Sequence, residues 1–192
     1  MELELIVLDG VFDPQEDSFL LAEAIGTMPP LNGKSCIDIG TGTGLQAIVC
    51  AKKGGKVLAV DLDKKCVENC RLNAGLLGMQ KRVRVKKSDL FSVIPVQKKF
   101  DLIVFNPPYL PSGKPKIPAL DGGKLGREIL DRFLEKLPER LTHNGIALFL
   151  QSSLNGIQKT EKKLKRLGLS AKIVSRQKLF FEELVVFKAA IK

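Results

Sequence analysis

The sequence predicts an α/β protein built on a doubly wound, seven-stranded, mostly parallel sheet whose last strand runs antiparallel. Three observations lead there. Short apolar runs alternate with helix-period segments along most of the chain. The first of these runs empties into a glycine-rich loop, S-C-I-D-I-G-T-G-T-G over 35–44. The last two runs, at about 171–177 and 184–190, have no helix between them and so pair as neighbours with one strand reversed. With 192 residues and 44% hydrophobic content, one substantial core can be buried, so residues 1–192 read as a single domain. No apolar run nears membrane-spanning length, and the opening M-E-L-E-L is no signal peptide. A cytoplasmic protein without membrane contact is the expectation.

Residues 3–12 alternate, and Asp9-Gly10 has hairpin-turn chemistry, so an N-terminal hairpin is expected before the first helix. Pro14 ends that extended piece. Glu16 and Asp17 suit a first helical turn, and Phe19, Leu20, Ile25 and Met28 make the helix amphipathic.

The strand Cys36 to Ile39 runs into Gly40, Gly42 and Gly44. Glycine lets a backbone turn sharply and approach a ligand closely. The spacing D-x-G-x-G-x-G, with Asp38 inside the strand, differs from the dinucleotide fingerprint G-x-G-x-x-G. A carboxylate just before the loop disfavours a pyrophosphate and favours a cationic ligand. S-adenosylmethionine carries a sulfonium and an ammonium and no phosphate, which selects it over a nicotinamide dinucleotide. A second buried strand, K-V-L-A-V-D, ends at Asp61, whose carboxylate can accept both hydroxyls of a ribose, with Leu62 beside it. Asp63 is better placed to cap the following helix.

R-V-R-V-K-K, residues 82–87, alternates as a half-buried strand at a sheet edge. Charge there either blocks aggregation or offers a docking strand for a partner. Ser88-Asp89-Leu90-Phe91 follows. Asp89 at a third strand tip can accept from an adenine amino group, with Leu90 or Phe91 against the ring.

The chain then reaches D-L-I-V-F-N-P-P-Y, residues 101–109. Proline cannot donate to a ladder, so the strand stops at Asn106, and the residue before a proline is held extended. Asn106 is thus fixed at the carboxyl end of a core strand. Its side-chain oxygen and the Pro107 carbonyl can accept the hydrogens of a planar –NH2 group, while Tyr109 gives the group a ring face to stack on. Pro-Pro would also make a merely rigid corner. A long Pro/Gly/Lys-rich loop, Leu110 to Leu125, reads as the lip of a substrate cleft. A helix is expected from Gly126 to Leu137 and a central strand over 145–151. His143, the single histidine, is a turn residue on this reading. The basic helix ending at Gly168 is a solvated face or a contact with RNA or a ribosomal surface. Phe180 and Phe181 fall in the last connection, near the cleft mouth.

The four cysteines lie inside predicted elements and read as buried small apolar residues of a reducing compartment; no metal site is expected. The net charge of +10 favours an acidic or nucleic-acid-associated partner.

On Pro14 to Leu21, Asp38 to Gly44, Asp61, Ser88 to Phe91 and Asn106 to Tyr109, the chain resembles the HemK/PrmC-type release-factor glutamine methyltransferases, in their short archaeal and eukaryal branch. The resemblance implies a Rossmann-like class I methyltransferase fold using S-adenosyl-L-methionine and leaving S-adenosyl-L-homocysteine. It implies methylation of the glutamine in the Gly-Gly-Gln motif of a peptide-chain release factor. Asn106, Pro107 and Tyr109 would be catalytic. Glu16, Asp17, Ser18, Asp38, Gly40, Gly42, Gly44, Asp61, Leu62, Asp89, Leu90 and Asn106 would hold the cofactor, with residues 1–30 covering it. A small zinc-binding activator subunit would dock on the edge strand near Arg82 to Lys87. The same acceptors also fit the exocyclic amine of a base, so an rRNA, tRNA or DNA methyltransferase is the alternative.

Overall fold

The computed structural model describes residues 3–112 and 120–192, so residues 113–119 of the expected cleft-lip loop lie outside the description. Its elements in chain order are α1 (Glu16–Gly26), β1 (Ser35–Ile39), α2 (Leu45–Lys52), β2 (Lys56–Asp61), α3 (Lys64–Leu76), β3 (Val83–Lys87), β4 (Phe100–Phe105), α4 (Glu128–Arg140), β5 (Leu141–Ser152), α5 (Ile157–Arg166), β6 (Leu169–Lys178) and β7 (Glu183–Ile191). A 3-10 turn, Ser153–Asn155, joins β5 to α5. The strands form one sheet in the order β3-β2-β1-β4-β5-β7-β6. All pairings are parallel except the two made by β7. This is the expected sheet, with β3 at an edge as the charge pattern of 82–87 indicates.

The register positions the site. Ile39 stands opposite Val60 on one side and Phe105 on the other. The next residues, Gly40, Asp61 and Asn106, therefore leave the sheet at the same height, where the chain winds outward in both directions from β1 and β4. In open α/β sheets that is where ligands bind.

Two apolar layers fix these strands. On one face α1, α2 and α3 contribute Leu21, Ile25, Ala47, Cys50 and Cys70, packed on Leu102, Val104 and Leu150. On the other face α4 and α5 lay Leu130, Phe133, Leu137 and Leu164 against Ile103, Phe105, Phe149 and Phe187. Phe105 packs on Phe133 with ring centroids 4.7 Å apart, so the residue just before Asn106 is locked by α4. A fully buried phenylalanine contributes roughly 1.5–3 kcal/mol through burial alone.

Two boundaries differ from expectation. Helix α4 continues past Pro138 to Arg140. Pro138 has no N–H to give the Leu134 carbonyl, and the helix ends two residues later. Arg140 then donates to the Pro95 carbonyl at 2.6 Å. Strand β5 begins at Leu141, ahead of the expected start at Gly145, across an irregularity in its pairing with β4.

The expected N-terminal hairpin does not form. The Asp9-Gly10 turn exists, with Gly10 at φ +82 and Val11 donating to the Leu8 carbonyl at 3.0 Å, but no strand flanks it. Two buried asparagines of α3 take the place of a neighbouring strand. Asn73 Oδ1 accepts from Ile6 N–H at 2.9 Å and Asn69 Oδ1 from Leu8 N–H at 2.8 Å. Both amides donate back to the Ile6 carbonyl, Asn69 at 2.7 Å and Asn73 at 2.8 Å. Asn73 also donates to the Thr43 carbonyl at 2.9 Å, tying this segment to the glycine loop.

Asn73→Ala removes the bonds to Ile6 N–H, the Ile6 carbonyl and the Thr43 carbonyl, and strands buried backbone groups, so it is expected to lower stability by about 2–3 kcal/mol. Chemical denaturation measures the loss. Hydrogen exchange should show the Ile6 amide losing protection, and unchanged protection there would contradict the bracing role.

Candidate active site

The site is built on the three strand tips that end at one height. In the glycine loop Gly40, Gly42 and Gly44 have φ values of +62, +53 and +90, a region that side chains rarely adopt. Gly44 has a second constraint. A Cβ there would lie 2.9 Å from Cys70 Sγ and 3.2 Å from its Cα, so the glycine lets the start of α2 lie against the middle of α3. At Gly42 a Cβ would meet nothing within 4 Å, so the loop faces open space there.

Asp38 reaches under this loop. Its Oδ2 accepts from Thr41 Oγ1 at 2.6 Å and from Ala47 N–H at 3.1 Å. Its Oδ1 is buried and has no hydrogen-bond partner among the described residues. Burial pushes this carboxyl from an ordinary 3.8 up to about 7, and the neighbouring Asp61 adds to the rise against the two hydrogen bonds. Asp61 uses both oxygens locally, accepting from Gly42 N–H at 3.0 Å and Asp63 N–H at 2.9 Å. It thereby ties the loop to the tip of β2. Each oxygen keeps a second lone pair for a ligand hydroxyl. Burial raises its pKa as well. Asp63 caps α3, as expected, by accepting from Lys65 N–H at 2.8 Å. Leu62 is 64% exposed beside Asp61.

The tip of β3 is less simple than its sequence suggests. Asp89 is ion-paired to Arg132 of α4 at 2.7 Å, so a ligand amine would have to share this carboxylate. Leu90 has φ +48, the one described non-glycine residue in the left-handed region, and its carbonyl accepts from Ser88 Oγ at 2.9 Å. Phe91 turns into the core against Phe133, which leaves Leu90 as the residue to face a ring.

At the tip of β4, Asn106 Nδ2 donates to Asp17 Oδ2 at 3.1 Å and to Ser18 Oγ at 3.3 Å. Its Oδ1 is buried and without a partner among the described residues. Asp17 and Ser18 thus contact Asn106 itself, a link with no signal in the sequence. Pro107 is buried behind it. The Tyr109 carbonyl accepts from Asn155 Nδ2 at 2.8 Å, and the same amide donates to the Gly126 carbonyl at 3.0 Å. Arg127 in turn donates to the Asn155 carbonyl while its Nε and Nη2 grip Asp131 at 2.9 and 3.0 Å. A Cβ on Gly126 would collide with the Tyr109 carbonyl oxygen. Burial, then the carboxylates of Asp17, Glu182 and Glu16, push the Tyr109 phenol well above its usual range. It stays protonated and offers a ring face rather than a base.

Sequence reasoning missed Asn155, Arg127 and Gln46, whose Nε2 ties the Ser18 carbonyl to α2 at 2.8 Å. Asn155 lies just past the tip of β5, so the strand-tip rule applied to Asp61 and Asp89 would have found it. His143 is exposed and lies at the start of β5, the end of the strand away from these groups.

A glycine loop between acidic strand tips, beside a proline-locked acceptor corner on a sheet whose last strand reverses, defines a class I methyltransferase. The model of the methyltransferase small domain family matches residues 2–181. A protein of Methanocaldococcus jannaschii, provisionally named a protein N5-glutamine methyltransferase, is 45% identical over 186 residues, spanning 93% of this chain and 91% of its own. Human Methyltransferase HEMK2 is 27% identical over 190 residues, spanning 93% of this chain and 88% of its own. Among solved structures, the E. cuniculi Mtq2–Trm112 complex, responsible for methylating the translation termination factor eRF1, matches with TM-score 0.76 and 26% identity over 95% of this chain and 99% of that one. The chain belongs to the methyltransferase small domain family, on its short HEMK2/Mtq2 branch.

The raised Asp38 carboxyl sets a pH dependence. The folded form holds that proton more tightly than the unfolded chain, so its contribution to stability is complete below about pH 4 and is lost as pH rises through about 7. Asp38→Asn does not titrate, so its melting temperature relative to the parent is expected to rise across that window and then level off. A difference that stays constant with pH in thermal unfolding would contradict the assignment.

Proposed function

We propose that this protein transfers a methyl group from S-adenosylmethionine to the side-chain amide nitrogen of a glutamine, in the Gly-Gly-Gln segment of a peptide-chain release factor. The observation that carries the reading is Asn106 Oδ1, a buried acceptor without a partner among the described residues, held at a corner that two prolines keep rigid. A protein glutamine as acceptor is supported by the M. jannaschii likeness, and a release factor as its bearer by the Mtq2 likeness.

The residues present fit the cofactor. The unpartnered Asp38 Oδ1 suits an ammonium, Asp61 suits ribose hydroxyls, Leu62 and Leu90 offer apolar surface to an adenine, and the loop at Gly42 leaves room. Gly40 and Gly44 shape that loop. Asp89, shared with Arg132, would accept from the adenine amino group, and α1, beginning at Glu16, would cover the cofactor with the rest of residues 1–30. When bound, S-adenosylmethionine supplies an electrophilic methyl group.

An amide nitrogen is a weak nucleophile because its lone pair is delocalised into the carbonyl. In this reading Asn106 Oδ1 and the Pro107 carbonyl accept its two hydrogens, and Tyr109 stacks on the amide plane. These contacts hold the nitrogen in line for attack and strengthen as positive charge grows on it. Positioning of this kind can remove roughly 7–11 kcal/mol of a barrier. One preorganised polar group aimed at developing charge supplies about 3–4 kcal/mol. No strong base is needed, since the proton leaves after the methyl has arrived. The protonated state of Tyr109 is consistent with that.

The edge position of β3, with Arg84, Lys86 and Lys87 exposed, supports docking of a small zinc-binding activator there, as Trm112 accompanies Mtq2 in the E. cuniculi complex. The exposed lysines of α5 would serve contacts with RNA or the ribosome. A release-factor substrate puts the protein in the cytoplasm. No helix among the described residues is long and apolar enough to cross a membrane.

Asn106→Ala is expected to lose on the order of a hundredfold or more in turnover while still binding cofactor. Asp61→Ala is expected to do the reverse, weakening cofactor binding with a smaller effect on the chemical step. Calorimetric binding and single-turnover kinetics separate the two, and swapped behaviour would reverse the roles. The substrate is tested by incubating the protein with labelled S-adenosylmethionine and either a release-factor fragment or RNA. Label on the glutamine-bearing peptide is the expected result. Label on RNA alone would move the chemistry to a base amine, for which the net charge of +10 speaks.

A further inference from the structure

An asparagine amide has two ends of nearly identical shape and opposite hydrogen-bonding character. Half a turn about its last bond would make the corner at Asn106 a donor, useless for gripping an –NH2 group. The proline lock fixes the backbone and leaves this choice open. We infer that Asp17 is a positioning residue that sets the polarity of the catalytic amide, and that Ser18 assists it. The inference rests on the glutamine-amide reading only for its kinetic consequence, because the geometry stands without it.

A carboxylate only accepts, and Asp17 is buried at 4% exposure with its Oδ2 3.1 Å from Asn106 Nδ2. The opposite rotamer would set Asn106 Oδ1 against that carboxylate, with lone pairs facing lone pairs away from water. Ser18 removes the remaining freedom. Its backbone N–H donates to Asp17 Oδ1 at 2.5 Å and its hydroxyl donates to the same oxygen at 3.1 Å. With its proton committed there, Ser18 Oγ meets Asn106 Nδ2, 3.3 Å away, as an acceptor. Two acceptors therefore hold the –NH2 of Asn106, and its oxygen is left facing away from them, unpartnered among the described residues. The arrangement is anchored at both ends. Asp17 sits in the first turn of α1, where a negative charge is favoured, and Gln46 fastens the Ser18 carbonyl to α2. The first helix thus reaches across the fold to decide which way a residue 89 positions later presents its amide.

Asp17→Asn tests this with almost no change in shape. Ser18 N–H still requires an acceptor, so the substituted side chain keeps its oxygen there and turns its new –NH2 toward Asn106, which must then point its own oxygen inward. Turnover at saturating cofactor is expected to fall on the order of ten- to a hundredfold, by more than any fall in cofactor affinity. The double variant Asp17→Asn/Asn106→Asp should recover activity above either single variant, because a carboxylate at position 106 can accept from the new amide at position 17 on one oxygen and from substrate on the other. A readout independent of activity comes from the side-chain amide signals of Asn106, identified by their absence in Asn106→Ala. These should be protected from hydrogen exchange in the parent and exposed to it in Asp17→Asn. If Asp17→Asn does not fold, Ser18→Ala carries the test, with a smaller loss of protection expected. Cofactor affinity falling in step with turnover, unchanged protection, or a double variant no better than either single one would overturn the inference. Failure of the parent protein to methylate any Gly-Gly-Gln substrate would instead sink the proposed function, leaving the exchange result to decide the role of Asp17.

Discussion

Two consecutive prolines stand just beyond the end of a strand buried on both faces, and the arrangement of the site depends on that stop. Strand β4 cannot extend past Phe105, because Pro107 and Pro108 offer no ladder donors. Phe105 cannot shift either, since Phe133 packs against its ring. The parallel register with β1 then places Asn106 beside Gly40 and, one strand further, Asp61. A one-residue slip would exchange the faces of every side chain in β4, so the apolar layers that hold the fold also hold the site. Stability and geometry of the corner share one source.

Much of this is legible in the sequence because it is written in local chemistry. The strands show as apolar runs, the loop as alternate glycines, and the corner as Asn-Pro-Pro. The reversed β7 shows as a missing helix. What cannot be read there depends on side chains meeting across the fold. The alternation of residues 3–8 has the pattern of a strand, yet its backbone groups bond to the amides of Asn69 and Asn73, more than sixty positions away. Asp17 has the look of an ordinary first-turn acid, and its pairing with Asn106 has no signature at either position. Asp89 meets every local test for a ligand acceptor but carries Arg132, which only the packing of α4 reveals. Phe91 is as good an adenine face as Leu90 by sequence, and only its burial against Phe133 takes it out of reach.

The electrostatics of the site run against those of the whole molecule. The chain carries a net charge of +10, yet the charged groups acting on Tyr109 are Asp17, Glu182 and Glu16. Asp38 and Asp61 line the adjoining loop. A cleft of this sign accommodates a cationic methyl donor and a nitrogen that gains charge as it reacts. The surrounding basic surface governs encounter over longer range, and the two fields act at different distances.

The reversal of β7 has its own consequence. Had the sheet been parallel throughout, the chain would have entered its last strand from the far end, by a crossover. Instead Leu184 starts opposite Ser152, and the tight connection carrying Phe180 and Phe181, 91% and 85% exposed, comes back to the reactive rim. A C-terminal hairpin therefore presents two exposed aromatic rings at the same end of the sheet as Asp61 and Asn106, and its turn can change without shifting the register of the strands that carry them. The tips of β1, β2 and β3, with the glycine loop, lie in the other half of the sheet. The topology thus keeps this turn apart from the strands whose register sets the corner at Asn106.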